Sequence, residues 1–315
     1  MTIDEHAAGQ RLDNFLLREL KGVPRTRIYR LLRKGEVRVD GRRANPADRL
    51  EPGARIRIPP VRMTPSDNGN GAANLPDGLA QQLRTCILHE DKELLALNKP
   101  SGLAVHGGSG LRFGLIEALR QLRPEDRFLE LVHRLDRETS GVLLVARRRS
   151  TLRRLHALIR DGMMEKRYLA LLVGQLPRGP VPVEAALDRS ARRGGERMVQ
   201  VDASGKASRS VFRCLERYDG YCLAEVDIST GRTHQIRVHA EHLGLPVAGD
   251  ERYGDRAANR QLRGLGLKRL FLHAHRLSFT DPETGENRMF SAELSPDLRD
   301  VIDRLQAPDM EKGND

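Results

Sequence analysis

Residues 62–82, RMTPSDNGNGAANLPDGLAQQ, limit what this chain can build more than any other feature. The segment is rich in Gly, Pro, Asn and Asp and poor in apolar side chains, so it cannot bury a core and reads as a flexible linker. It divides the 315-residue chain into an N-terminal part, residues 1–61, and a longer C-terminal part, residues 83–310. A chain of this length also exceeds what one hydrophobic core usually organises, so two domains are expected on both counts.

Charge separates the two parts further. Lys plus Arg outnumber Asp plus Glu by 54 to 43, and residues 1–60 carry a surplus of 6 out of the net +11. Such a module suits a polyanion such as RNA. Within it, Leu12, Phe15, Leu16 and Leu20 fall at helical spacing. A second helix follows with Ile28, Leu31 and Leu32 as its buried stripe, which leaves Arg27, Arg30, Arg33 and Lys34 to face water or phosphate. Val37 and Val39 alternate with Arg38 as in a strand, Asp40-Gly41 reads as a turn, and Ile56 and Ile58 alternate with Arg55 and Arg57 in an answering strand.

Three cysteines, Cys86, Cys214 and Cys222, with no CxxC pair argue against a disulfide framework or a cysteine zinc site and fit a reducing, cytoplasmic setting. The polar start MTIDEHAAGQ has no export signature, and the apolar runs are too short to span a membrane.

In the C-terminal part, strand-like runs recur at 94–97, 141–146, 168–173, 210–215, 221–228, 233–239 and 270–279, with a helix at 152–160. No GxGxxG follows a strand, so a mixed α+β fold is expected rather than a doubly wound sheet. The densest polar segment is HRLDRETSG, His133 to Gly141, between apolar Leu131-Val132 and GVLLVA. Pinning so many polar groups between buried strands is costly unless each is used. TGRTHQIRVH, 230–239, reads as a strand with Ile236 and Val238 on one face and Gln235, Arg237 and His239 on the other. In KRYLALLVG, Leu169, Leu171 and Val173 share one face, and Tyr168 shares the opposite face with Ala170. Histidines 234, 239, 242, 273 and 275 raise the idea of a metal site, but no HExxH accompanies them and RNA contact or packing explains them as well. A sugar hydrolase would want two acids, and only Glu138 is near Asp136.

Taken in order, LNKPSGLAVH (97–106), HRLDRETSG, KRYLAL (166–171), TGRTHQIRVH and GDERYG (249–254) resemble the RluA family of pseudouridine synthases over nearly the whole chain. The front part resembles an S4-type RNA-binding domain, whose second helix presents basic side chains to folded RNA. The resemblance implies a mainly antiparallel-sheet catalytic domain that converts uridine to pseudouridine without cofactor or metal. It assigns Asp136 as nucleophile, Arg237 as its ion-pair partner, Tyr168 as the residue that stacks on the base and assists proton transfer, and Arg134 as the group that helps push the nucleotide out. His133, beside Arg134, is expected to touch substrate. The implied partner is RNA, 23S ribosomal RNA first, acted on by a monomer. A transfer-RNA target and a non-catalytic ribosome-assembly factor are the alternatives.

Overall fold

The computed structural model describes residues 1–3, 7–20, 23, 25–60, 75–107, 114–188, 192–193 and 196–307, which form two compact units, Met1–Asn74 and Leu75–Asp315. In the first, α1 (Leu12–Glu19) and α2 (Arg25–Lys34) pack through Leu12, Phe15 and Leu16 against Ile28, Leu31 and Leu32. A three-stranded sheet of β1 (Arg38–Val39), β2 (Arg42–Arg43) and β3 (Ile56–Arg57) completes the unit in the order β2-β1-β3, with the Asp40-Gly41 turn between the first two. Arg38 lies opposite Arg43 on one side and Arg57 on the other. Like charges in direct cross-strand register destabilise a sheet, so this row favours an anionic partner.

The second unit opens with α3 (Asp77–Thr85), which corrects the expected extent of the linker. Ala80 and Leu83 are buried and Leu79 packs on the main core, so residues 77–82 form a helix rather than flexible chain. Three apolar residues at helical spacing suffice to dock a short helix despite its polar composition. The rest of the linker, residues 62–74, lies outside the described residues, as do 308–310 of the expected C-terminal domain.

The chain continues through β4 (Ile87–Glu90), β5 (Leu94–Lys99), α4 (Leu115–Leu122), β6 (Glu130–Leu131), β7 (Ser140–Ala146), α5 (Arg149–Arg160), β8 (Met164–Val173) and β9 (Val181–Glu184). Two small hairpin pairings follow, β10 (Leu187–Asp188) with β13 (Gln200–Val201) and β11 (Arg192–Arg193) with β12 (Glu196–Arg197). Then come β14 (Arg209–Tyr218), β15 (Tyr221–Ile228), α6 (Gln235–His242), α7 (Arg256–Gly264), β16 (Leu272–Thr280), β17 (Asn287–Ser291) and α8 (Pro296–Gln306). The large sheet runs β4-β5-β7-β16-β8-β15-β14-β9, with β17 added on β16 and β6 on β7. The unit is α+β, as expected.

Its central strands are buried on both faces. Leu95, Leu97, Leu143 and Val145 face one core while Leu94, Ala96, Val142 and Leu144 face the other, so the strands read as unbroken apolar runs. On β8, Tyr168, Ala170 and Leu172 enter one core and Leu169 and Leu171 another, the division that the alternation of KRYLALLVG suggests.

Among the described strands β7 and β16 alone pair in parallel, His273 with Ser140 and Ala274 with Gly141, and all other pairings are antiparallel. At this seam Gly141 has φ +108°, and a Cβ there would lie 2.2 Å from the Ala274 carbonyl oxygen. Glycine is therefore required for β7 to approach β16. The HRLDRETSG loop ends at this seam.

Candidate active site

The loop between β6 and β7 carries Asp136 and is held from both sides. Its neighbour is the NKPSG turn after β5. Fully buried Lys99 donates through Nζ to the carbonyls of Pro100 (2.8 Å), Leu103 (2.8 Å) and Arg137 (3.0 Å). The Gly102 amide donates to the Arg137 carbonyl at 2.9 Å, Ser101 Oγ to the Glu138 carbonyl at 2.7 Å, and Arg137 Nε back to the Gly102 carbonyl at 3.0 Å. Burial pushes the Lys99 ammonium down to about 7, against the pull of Glu138 and Asp136, while its three donors match three carbonyls. Asp136 thus rides on a loop whose backbone is fixed before any ligand arrives.

The Asp136 side chain is 19 % exposed and accepts no hydrogen bond among the described residues. Arg237 Nη1 lies 3.7 Å from its Oδ2 and His234 Nε2 lies 3.9 Å away. Both distances exceed hydrogen-bond range, so the carboxylate is faced by positive and polar groups without being consumed by them.

Arg237 comes from a helix, not from the strand expected for residues 233–239. His234 adopts a left-handed backbone, φ 54°, and α6 begins at the next residue. Five alternating residues do not separate a strand from a short helix buried on all sides, and residues 235–240 are all buried here. The polar members of the pattern are spent inside the protein. Gln235 accepts from the Arg232 amide (3.0 Å) and donates to the Arg209 carbonyl (2.9 Å), and His239 Nδ1 meets Ser210 Oγ at 2.9 Å.

The tight partner of Arg237 is Asp250. Nε and Nη2 of the guanidinium grip the two Asp250 oxygens at 2.6 and 2.7 Å, a bidentate fork that leaves Nη1 turned to Asp136. Burial opposes a charge on Asp250, but the Arg237 fork and the amides of Tyr253 and Arg252 outweigh it and hold the carboxyl below its ordinary range. Asp250 is placed by the turn at Gly249, φ +73°, where a Cβ would sit 2.0 Å from the Arg269 carbonyl oxygen. Tyr253 lies under the guanidinium, 5.0 Å from ring centre to Cζ. Its hydroxyl accepts the Val199 amide at 3.1 Å and meets His234 Nδ1 at 2.9 Å. Nε2 is the ring nitrogen that His234 turns to Asp136. Burial pushes His234 down to about 4, against the charge of Asp136, so the ring is neutral at pH 7.

Tyr168 lines the same cleft as Asp136, Arg134, His234 and Arg237. Burial, reinforced by the Asp136 charge, raises its phenol above the ordinary range and keeps it protonated. Arg134 is exposed and has no protein partner among the described residues, and it lines an adjoining cavity of about 620 Å³ with Arg252, Lys268 and Arg269. His133 is turned elsewhere. Its Nε2 accepts the Leu144 amide at 3.2 Å, and burial with the charge of Lys166 pushes it down to about 3, so it adds no charge to the cleft. The five histidines weighed as metal ligands are dispersed. His273 bonds Ser140 and Ala292, His275 bonds Ala292, and among the described residues no three metal-ligating side chains converge.

Residues 93–242 match the family model described as RNA pseudouridylate synthase, and residues 10–56 match the S4 domain. The chain is 53 % identical over 302 residues to ribosomal large subunit pseudouridine synthase C of Yersinia pestis, which covers 96 % of this chain and 94 % of that protein. It belongs to the RNA pseudouridylate synthase family. The Escherichia coli K12 protein of the same name is 52 % identical over 308 residues, 97 % of this chain and 95 % of that one. Human RNA Pseudouridylate Synthase Domain Containing 4 superposes with a TM-score of 0.62 at 26 % identity, covering 73 % of this chain and 96 % of that one. The protein is thus an RNA pseudouridine synthase, an isomerase with an N-terminal S4 domain. The family resemblance implied Asp136, Tyr168 and Arg237 as candidates, and the structure brings these three to one cleft. It adds Asp250, His234 and Lys99. Each lies in a segment quoted for the resemblance, but which group it would touch was not written in the spacing.

Proposed function

We propose that this synthase isomerises uridines of 23S ribosomal RNA, with Asp136 as nucleophile toward a uridine turned out of its helix. One observation carries the reading: a carboxylate that accepts no hydrogen bond among the described residues, in a basic cleft, faced by a guanidinium that another carboxylate already holds. The reaction breaks the bond from ribose C1′ to uracil N1, turns the base, joins C1′ to C5 and releases the C5 proton. It has no redox step. A carboxylate suits it because it can bond to the substrate and then leave again.

Arg237, buried and fixed by Asp250, holds the Asp136 carboxylate aimed at the substrate once a base excludes water. Target atoms inside a stacked helix are out of reach, so the nucleotide is extruded at a cost of a few kcal/mol. Stacking on an aromatic side chain returns about 1–3 kcal/mol per base, the size needed from Tyr168. Arg134, exposed and without a partner among the described residues, is suited to the vacated space. The S4 unit supports RNA as partner, and the names of the relatives support the large ribosomal subunit.

RNA labelled with tritium at uracil C5 tests the proposal. Incubation with 23S transcript is expected to release label to water. Release from transfer RNA alone would overturn the substrate, and free uracil without release would overturn the reaction.

A further inference from the structure

A further cavity, of about 350 Å³, lies against the proposed active site and shares Arg134, Tyr168 and Arg232 with it. Its other polar lining is His133, His156, Arg160 and Lys166, and among the described residues no carboxylate lines it. His133 is held neutral, and His156 uses Nε2 to donate to the Val132 carbonyl at 3.1 Å. The charge facing the space is therefore that of Lys166 and three arginines.

Lys166 is the decisive residue. It is 7 % exposed, and its side chain forms no hydrogen bond or ion pair among the described residues. It stands two residues before Tyr168 on the same face of β8, which separates them by about 6.6 Å along the strand. Its stem is buried while its ammonium meets only the space of the cavity, with no protein acceptor among the described residues. Part of its hydration is therefore given up for nothing the fold supplies, and an apolar side chain of similar length would fold at least as well. Lys99 shows the contrast, fully buried but with three carbonyls on its Nζ. Arg232 spends only Nε, on the Ala207 carbonyl at 3.2 Å, and Arg160 only Nε, on Asp161 at 3.2 Å, so each keeps donors for something else.

We infer that this cavity receives a backbone phosphate of the RNA beside the target nucleotide, with Lys166 as its buried ligand and Arg160 and Arg232 at its rim. The inference rests on the proposed reading of the neighbouring cleft. Because Arg134 and Tyr168 wall both spaces, a nucleotide whose base lies against Tyr168 carries its own phosphate to the side where Lys166 waits. The phosphate supplies the negative charge that Lys166 lacks, and anchors the strand as the base leaves its stack.

Binding of 23S transcript to the full-length protein, measured from about 50 to 200 mM salt, tests this. Lys166→Met is expected to weaken binding about tenfold, to lower the slope of log K against log salt by about 0.7–0.9, and to leave the melting temperature unchanged or raised. Lys166→Arg is expected to restore affinity. Unchanged affinity overturns the inference, and so does a lowered melting temperature that Lys166→Arg does not repair, since that marks a structural role. Should Lys166→Met fail to fold, Arg160→Gln with Arg232→Gln, at exposed positions, must show the reduced slope or the inference falls. Inorganic phosphate is the control: a thermal shift that Lys166→Met abolishes, with RNA affinity unchanged, would make this a free-anion site and overturn the RNA assignment. None of these readouts needs turnover, so wild-type tritium release reports separately on the proposed reaction.

Discussion

The two units put the same side chain to opposite uses. On α2, Arg30 and Arg33 are exposed and their guanidiniums have no partner among the described residues, and the row Arg43, Arg38, Arg57 crosses the small sheet without a carboxylate between. In the larger unit Arg237 is buried and forked onto Asp250, Arg147 binds Asp126, and Arg154 reaches Glu93, Asp281 and Glu283. An exposed unpaired guanidinium is worth little to the fold and much to a polyanion, whereas a buried paired one fixes its neighbours. Grip and chemistry are therefore separable, and substitutions should separate them.

The largest effect is expected at Asp136. Asp136→Asn keeps the shape and removes the charge, and should reduce tritium release by about 10⁴-fold or more while RNA affinity is retained. A near wild-type rate would break the comparison at its centre. Next comes Asp250→Ala, which strands the buried Arg237 and should cost about 3–5 kcal/mol in denaturant unfolding, with turnover lost because the guanidinium no longer faces Asp136 correctly. Full stability would mean that the fork is dispensable.

A smaller effect is expected from Arg27, Arg30 and Arg33 changed together to Gln. Each lost phosphate contact lowers the salt slope of binding by about 0.7–0.9, while turnover at saturating RNA is retained. Loss of turnover without a change in slope would show that the α2 face does not grip RNA.

The smallest effect distinguishes the units by pH. Burial holds His133 down to about 3 and His234 and His273 down to about 4, all in the larger unit. A histidine whose folded pKa lies below its unfolded value binds its proton more readily when unfolded, so its contribution is complete above about 6.5 and lost as pH falls toward 4. In the smaller unit the Arg11 hydrogen bond holds Asp13 down to about 2, against burial and with help from Tyr29, so its contribution persists until pH falls below the ordinary carboxylate range. Hydrogen exchange between pH 6.5 and 4 should show the larger unit loosening first. Simultaneous loosening would remove this distinction.

How much of this the chain discloses can be judged from particular residues. The two N-terminal helices, the alternating faces of β8 and the polar loop around Asp136 follow from local pattern, because each depends on which side chains can share one buried face. Residues 77–82 misled because a polar stretch becomes helix once a few apolar side chains find a core to dock on. Residues 233–239 misled because both faces of that segment are buried, which erases the contrast that pattern reading needs. By itself the sequence determined the order of the segments, the candidates Asp136, Tyr168 and Arg237, and the family. Only tertiary structure decided that Arg237 is forked to Asp250 and merely near Asp136, that Lys99 has acceptors and Lys166 has none among the described residues, and that the loop meets a parallel seam at Gly141. The partner of a charge depends on distance in space between residues far apart in the chain, and spacing along the chain does not encode that distance.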